Sequence, residues 1–364
     1  MDGLNAIPPF GDDEYYRLRP SLAMARPQDR SRQGADRAID LDGFFGMHSA
    51  LSPLEGAFKS GELAVVHAVG SGDQTRSHFE AMSAMERGIS GGTAGAVGGW
   101  LARYLRQTSR STDTALRAVA LSGTLPDSLL GATQAVNLYH VDEYNLNGSL
   151  DYRNQLESLY ALGSDAVSSA GRGSLAALRK LDQISVKTYR PADGATYPDS
   201  ELGAGFKQIA ALLKGGVGLE IACLERGGWD THVTQGAGTG WLASQLDDVA
   251  KSMAAFQRDM GAGMKRVTVV AMTEFGRRAY ENTGLGTDHG RGSCLFLLGG
   301  GVQGGKVYAQ WPGLAKDQLE APGDLRVTTD YRDVLGEVLL KRSRLSALGD
   351  VFPGHALKPA GVMG

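Results

Sequence analysis

No run of about 18 apolar residues occurs in this chain, so no segment reads as a membrane-spanning helix. No signal peptide is visible either. Cysteine is scarce, at 2 residues, which leaves no disulfide framework to hold a small fold together. Both Cys223 and Cys294 lie in apolar, strand-like runs and are expected as buried thiols. Excess charge is missing too. The net charge of -3 gives no sign of a nucleic-acid partner. What the chain does have is length and apolar content. Its 364 residues, 42% hydrophobic and 21% charged, are ample for a sizeable core and fit one large α/β domain or two smaller ones, with a single domain over 1–364 the expectation. Glycine is plentiful, at 51 residues, and much of it falls in loops beside the chemical motifs.

The pattern alternates between short apolar runs and helical stretches. Residues 63–69, 116–121, 219–224, 267–273, 294–298 and 306–308 read as strands, valine-rich and bounded by glycine or polar residues. Helices are predicted over 49–60, 100–107, 206–214, 241–260 and 328–339. In residues 241–260 a stripe of Leu242, Leu246, Val249, Met253, Phe256 and Met260 marks one buried face. Residues 7–30 read as an irregular covering loop, 88–99 as a glycine-rich linker, and 130–200 as helices and loops without a chemical motif. Residues 1–5 look like the end of a strand with no strand before it. This order predicts a doubly wound, mostly parallel sheet with helices on both faces and the first strand missing.

Functional groups in such sheets sit just past the strands' carboxyl ends. Four loops there carry ionisable residues: Asp2, the Thr75–His78 turn, Asp230 with His232, and Glu274 with the later Asp288 and His289. Carboxylates mixed with imidazoles suit zinc, manganese or iron. Asp230 and His232 flank one residue, so an extended loop can point both the same way. A hydroxyl at the strand-to-helix turn, Thr75 or Ser77, is a seat for a nucleophile or equally a plain helix cap. His48, His67, His140 and His355 stand alone, and His67, inside a strand, reads as a hydrogen-bonded core residue.

The chain resembles the domain-of-unknown-function family 1501, of the alkaline phosphatase/sulfatase-like superfamily. The resemblance lies in Asp-Gly-Leu-Asn at 2–5, Ala-Val-Val-His-Ala-Val-Gly at 64–70 and Thr-Arg-Ser-His-Phe at 75–79. It continues in Gly-Gly-Trp-Asp-Thr-His at 227–232, Thr-Glu-Phe-Gly-Arg at 273–277 and Gly-Thr-Asp-His-Gly at 286–290. Gly-Gly-Gly-Val-Gln-Gly-Gly at 299–305 and Thr-Asp-Tyr-Arg-Asp at 329–333 complete it. The superfamily implies two metal ions that clamp a phosphate or sulfate ester, and a hydroxyl or modified-cysteine nucleophile.

Carried over, Asp2 matches a first-strand ligand, Thr75 sits near the nucleophile position, and Asp230 matches a ligand of the other metal. Two assignments remain open for the late loops. Either Asp288 and His289 are the superfamily's Asp-His-Gly pair, or Glu274 replaces its aspartate, Phe275 takes the histidine position and His289 is the last histidine; chain order favours the second. Relatives begin upstream with a twin-arginine export signal and the first strand. The expectation is therefore either a periplasmic protein whose start is truncated or misplaced, or a cytoplasmic one lacking that strand.

The resulting expectation is a metal-dependent hydrolase of a small anionic ester, using one or two ions, zinc or manganese foremost. Thr75 would attack, with Ser77 as the alternative nucleophile and His78 in the same turn. Asp2 and Glu274 would hold one ion, and Asp230, His232, Asp288 and His289 supply the rest. Arg76, Arg277 or Arg291 would bind the anion's remaining oxygens. The rival expectation is a non-catalytic binding or envelope-associated protein on a degenerate phosphatase-like fold. A phosphomutase is disfavoured because no separate cap domain is visible.

Overall fold

In the computed structural model, all residues are described except 33, 90–95, 111–113, 147–149, 183 and 185–187. Part of the predicted linker at 88–99 thus lies outside the described residues. The strands are β1 (Ile39–Asp40), β2 (Gly46–Met47), β3 (Leu63–Gly70), β4 (Ala118–Leu121), β5 (Ala135–Leu138), β6 (Ile221–Leu224), β7 (Thr268–Ala271), β8 (Ser293–Gly299), β9 (Val307–Tyr308) and β10 (Thr329–Asp330). The helices are α1 (Gly3–Ala6), α2 (Asp13–Leu18), α3 (Glu55–Lys59), α4 (His78–Glu86) and α5 (Trp100–Gln107). They continue as α6 (Leu150–Leu162), α7 (Ala166–Asp182), α8 (Glu201–Lys214), α9 (Trp241–Met260) and α10 (Tyr331–Arg342).

The expected single, mostly parallel sheet is corrected. Among the described residues the largest sheet has five strands in the order β10-β3-β8-β7, with β9 also on β3; a smaller one has three, β5-β4-β6, and β1 and β2 form an antiparallel pair of their own. The three-stranded sheet is parallel throughout. The largest is mixed: β10 and β9 run parallel to β3, whereas β8 runs antiparallel to both β3 and β7. The physical reason is the β7–β8 connection. It leaves and re-enters at the same rim, so the chain turns straight back without a crossover helix. β6 and β7 are edge strands, each only partly buried.

The apolar runs are unbroken because both faces of each central strand are covered. In β3, Leu63 and Val65 join one core cluster, while Ala64, Val66 and Val69 join another. β8 divides the same way, with Phe296 and Leu298 on one side and Leu295 and Leu297 on the other. Helices α8 and α9 cover the first side, and α5 and α10 the second. The α9 stripe is core: Leu242, Leu246, Met253, Phe256 and Met260 are buried in it, and Val249 packs against it.

Some boundaries differ from expectation. Ser200 caps α8 by accepting from the Gly203 amide, so that helix begins before Phe206. The expected helix at 49–60 is 3-10 over Ser49–Leu54 and α-helical only from Glu55. β5 falls in the stretch read as helix and loop. Residues 3–6 form a helical turn after an extended Asp2. Both cysteines are free; Cys294 is buried and Cys223 partly so. No helix among the described residues is long and apolar enough to cross a membrane.

Candidate metal centre

Three connections deliver the candidate residues to one rim. The β3–α4 turn ends in His78, the first residue of α4. The β6–α9 loop carries Asp230 and His232, and the β7–β8 connection carries Glu274, Asp288 and His289. Backbone contacts lock these loops together. The Thr287 amide donates to the Thr231 carbonyl, and the Thr234 amide to that of Gly284. Glycine is required where backbones touch. A Cβ on Gly290 would lie 2.4 Å from the carbonyl carbon of Arg277, and one on Gly276 would lie 1.9 Å from the Gly292 oxygen.

Below the rim, Arg277 is wholly buried and serves as a peg. It donates to the Thr287 carbonyl at 2.9 Å, to the Trp229 carbonyl at 2.8 Å and to Asp230 Oδ1 at 2.6 Å. Deeper still, Gln235 accepts from Thr231 and Thr287, each at 2.7 Å, and donates to Asp2 Oδ2 at 2.6 Å.

The histidines converge on Asp230. Its Oδ1 lies 2.8 Å from His289 Nε2, 2.9 Å from His232 Nε2 and 3.5 Å from His78 Nε2. His232 Nε2 and His289 Nε2 are 3.0 Å apart. The far nitrogen of each ring is already engaged. His289 Nδ1 is 2.8 Å from the Arg76 carbonyl, which only accepts, so Nδ1 carries the proton. His78 Nδ1 faces Glu274 Oε1 at 2.6 Å, and His232 Nδ1 faces Asp288 Oδ1 at 3.3 Å.

Those carboxylates are held ionised. Burial pushes Glu274 up, but the Met1 amino group and hydrogen bonds from His78 and Thr273 outweigh it and keep it below the usual range. Asp288 is lowered by the hydrogen bond from Asn282, against burial and with help from His232. Asp230 is lowered as well: burial opposes this, and the hydrogen bonds from His289 and Arg277 overcome it.

With each Nδ1 protonated, a proton on every Nε2 as well would put three imidazolium cations in one small cluster. Lone pairs on the Nε2 atoms avoid that, but then leave them facing one another. A cation among them resolves the conflict. His78 Nε2 is buried and has no hydrogen-bond partner, which is the signature of an orphaned ligand atom. Tetrahedral ligands about 2.0–2.1 Å from zinc stand about 3.4 Å apart, against 3.5 Å from Asp230 Oδ1 to His78 Nε2 and 2.8 Å from it to His289 Nε2 here. His78, Asp230 and His289 each offer a ligand atom within 4.8 Å of the others, and His232 adjoins them. The donor set fits one zinc-class ion.

The remaining candidates are placed differently. Glu274 and Asp288 orient His78 and His232, the outer role typical around such centres. Asp2 is buried, with Arg19 at 2.6 Å and Gln235 on Oδ2, and is not part of the ligand group. Phe275 is buried, its ring 4.7 Å from that of His78 and 4.9 Å from that of His289. Thr75 Oγ1 donates to Glu80 at 2.9 Å and accepts from the Ser77 amide. Ser77 precedes α4 without a side-chain cap.

Arg76 is paired with Asp324, and Arg291 with Glu320 and the Ser71 carbonyl. Arg19, Gln235 and Asn282 were not singled out from sequence; a lone buried arginine or amide leaves no spacing signal.

The four lone histidines stay outside the centre. His67 and His48 are buried and bonded to the Ile7 and Ala237 carbonyls, His355 pairs with Asp333, and His140 meets Gln208.

Comparison with known proteins gives a match over residues 56–349 to a family model described as protein of unknown function (DUF1501). Searches of curated proteins and of solved structures returned no match. With most of its length matched, this chain belongs to the DUF1501 family.

Proposed function

We propose that the chain is a metal-dependent hydrolase of a phosphate or sulfate ester, related to the alkaline phosphatase/sulfatase-like proteins. The observation that supports this most is the convergence of three imidazole Nε2 atoms on Asp230 Oδ1, with every Nδ1 pinned from behind. A bound zinc or manganese ion would supply Lewis-acid polarisation of an ester oxygen. His78, His232, His289 and Asp230 would hold it. Arg277 fixes Asp230, and Glu274 and Asp288 keep two rings in their ligating tautomer. Thr75 is the candidate nucleophile and sits in a crevice with Asp73, Glu274, Phe275 and Arg291.

The test is elemental analysis of protein purified without chelator, with assays on nitrophenyl phosphate and nitrophenyl sulfate. About one bound ion and turnover abolished by chelation are expected. Metal-free protein that stays inert after zinc or manganese is added would end the proposal.

A second reading, a metal-bearing binding protein on a degenerate fold, rests on openness. The Asp230 side chain is 50% exposed and that of His232 40%, whereas small-ligand sites enclose most of their ligand. Asp230→Ala and His289→Ala separate the two: an enzyme loses orders of magnitude in turnover, and wild-type protein with a full ion and no turnover favours the binder.

A further inference from the structure

Residues 71–77, between β3 and α4, have no regular structure, yet they lead directly into His78. Their side chains bond mostly to one another. The Thr75 amide donates to Asp73 at 2.6 Å, the Ser77 amide to Thr75 Oγ1 at 3.1 Å, and Thr75 Oγ1 to Glu80 at 2.9 Å. Arg76 is the exception. Its guanidinium, expected at the anion, is spent elsewhere: Nε and Nη2 donate to Asp324 Oδ2 at 2.9 and 2.5 Å, and Nη2 also to the Ala321 carbonyl at 3.1 Å. Its own carbonyl accepts the Nδ1 proton of His289 at 2.8 Å. Arg76 therefore links a wholly buried carboxylate to a ring of the metal centre.

Asp324 is a firm anchor for that link. Asp324 and Glu320 exchange backbone hydrogen bonds at 2.8 and 3.0 Å. The neighbouring Gly323 carbonyl accepts from the Ala279 amide, and the Leu325 carbonyl from the Gly292 amide. Ala279 and Gly292 lie on opposite arms of the β7–β8 connection, before and after His289. Residues 320–325 thus hold the His289 loop through backbone, and hold the turn that carries Thr75 and His78 through the Asp324 side chain.

We propose that Asp324 is a positioning residue of the metal centre. Through Arg76 it sets the β3–α4 turn against the β7–β8 connection, and so fixes the carbonyl that keeps His289 in its ligating tautomer. It touches neither ion nor substrate. This rests on the metal-centre reading and deepens it. A turn released from Asp324 carries the Arg76 carbonyl away from Nδ1. The ring proton is then free to sit on Nε2, where it competes with the ion. The bland role for a buried Arg–Asp pair is fold stability alone, and the two roles give different results.

The experiment compares wild type, Asp324→Asn, Arg76→Gln and the double variant. Zinc affinity is read by competition with a chromophoric chelator, and folding by urea unfolding. The His289 Nδ1–H signal is read by NMR of metal-free, histidine-labelled protein and identified by its absence in H289Q. D324N should bind zinc about tenfold more weakly, and its Nδ1 proton should lose protection from exchange. R76Q should match it, and the double variant should lose no more than either single one, because both act through one link. Zinc affinity within about twofold of wild type in folded D324N overturns the assignment, as does a double variant whose loss is the sum of the two. Wild-type protein that takes up no zinc removes the metal reading instead; the NMR comparison then still decides the link, and a protected His289 signal in D324N overturns it. If D324N does not fold, R76Q carries both readouts, and wild-type behaviour in it overturns the assignment.

Discussion

Each ring proposed to ligate has two nitrogens and one job for each. Glu274 sets the tautomer of His78 through a 2.6 Å contact, and no other partner among the described residues does so. Glu274→Gln keeps the shape but lets the amide turn its NH2 toward Nδ1, which favours the wrong tautomer. Such outer partners are worth about tenfold to hundredfold in metal affinity. That drop should appear in competition with a chromophoric chelator, and an affinity unchanged within about twofold would argue against the tautomer role. Asp2 makes the opposite case. It is as buried as Arg19, and burial alone would raise its carboxyl, yet Arg19 and Gln235 hold it low. Asp2→Ala strands a buried guanidinium, a loss of about 3–5 kcal/mol for a broken buried pair. Urea unfolding should show it while bound metal stays at the wild-type level. Loss of the ion in a folded D2A protein would instead make Asp2 a ligand.

At the scale of elements, the site depends on loops that touch through glycine. The bridge between Arg277 and His289 brings two strand-like segments together just below the ligands. Gly290 donates to the Gly276 carbonyl, and a Cβ there would sit 2.4 Å from the Arg277 backbone. Gly290→Ala must push the His289 segment away from Arg277. Metal affinity should fall by at least tenfold, with a melting temperature several degrees lower, since a strained backbone contact costs about 1–3 kcal/mol. Zinc affinity at the wild-type level in G290A would mean the loop yields without moving His289. These loops were legible as loops: glycine beside acidic and imidazole residues after valine-rich runs is a visible pattern. Their pairing was not, because no local rule says that the backbone at 286–287 must lie against the backbone at 231–232.

For the molecule as a whole, the two-sided core governs stability and its pH dependence. His67 sits inside β3 with Nε2 bonded to the Ile7 carbonyl, and burial lowers its pKa to about 4. The unfolded chain, with histidine near about 6.5, binds the proton first as pH falls. Stability from this group is therefore complete above about pH 6.5 and declines toward pH 4, by about 1.4 kcal/mol per pH unit at most. Chemical denaturation of wild type and His67→Phe across that window should show a shallower decline in the variant; parallel curves would remove His67 from the account. The amino-acid sequence by itself determined β3, β4, β6, β7, β8 and β9, the α9 stripe and the set of carboxylates and imidazoles at strand ends, because periodicity and composition are local properties, whereas the apolar runs of β1, β2, β5 and β10 are too short to mark themselves. It also singled out residues 230, 232 and 289 as candidate site residues, and they meet. Only the tertiary structure decided that β8 runs antiparallel, that Glu274 and Asp288 stand behind the histidines, and that Asp2 belongs to Arg19. Those outcomes depend on which groups share a buried space, and burial is set by the whole chain at once.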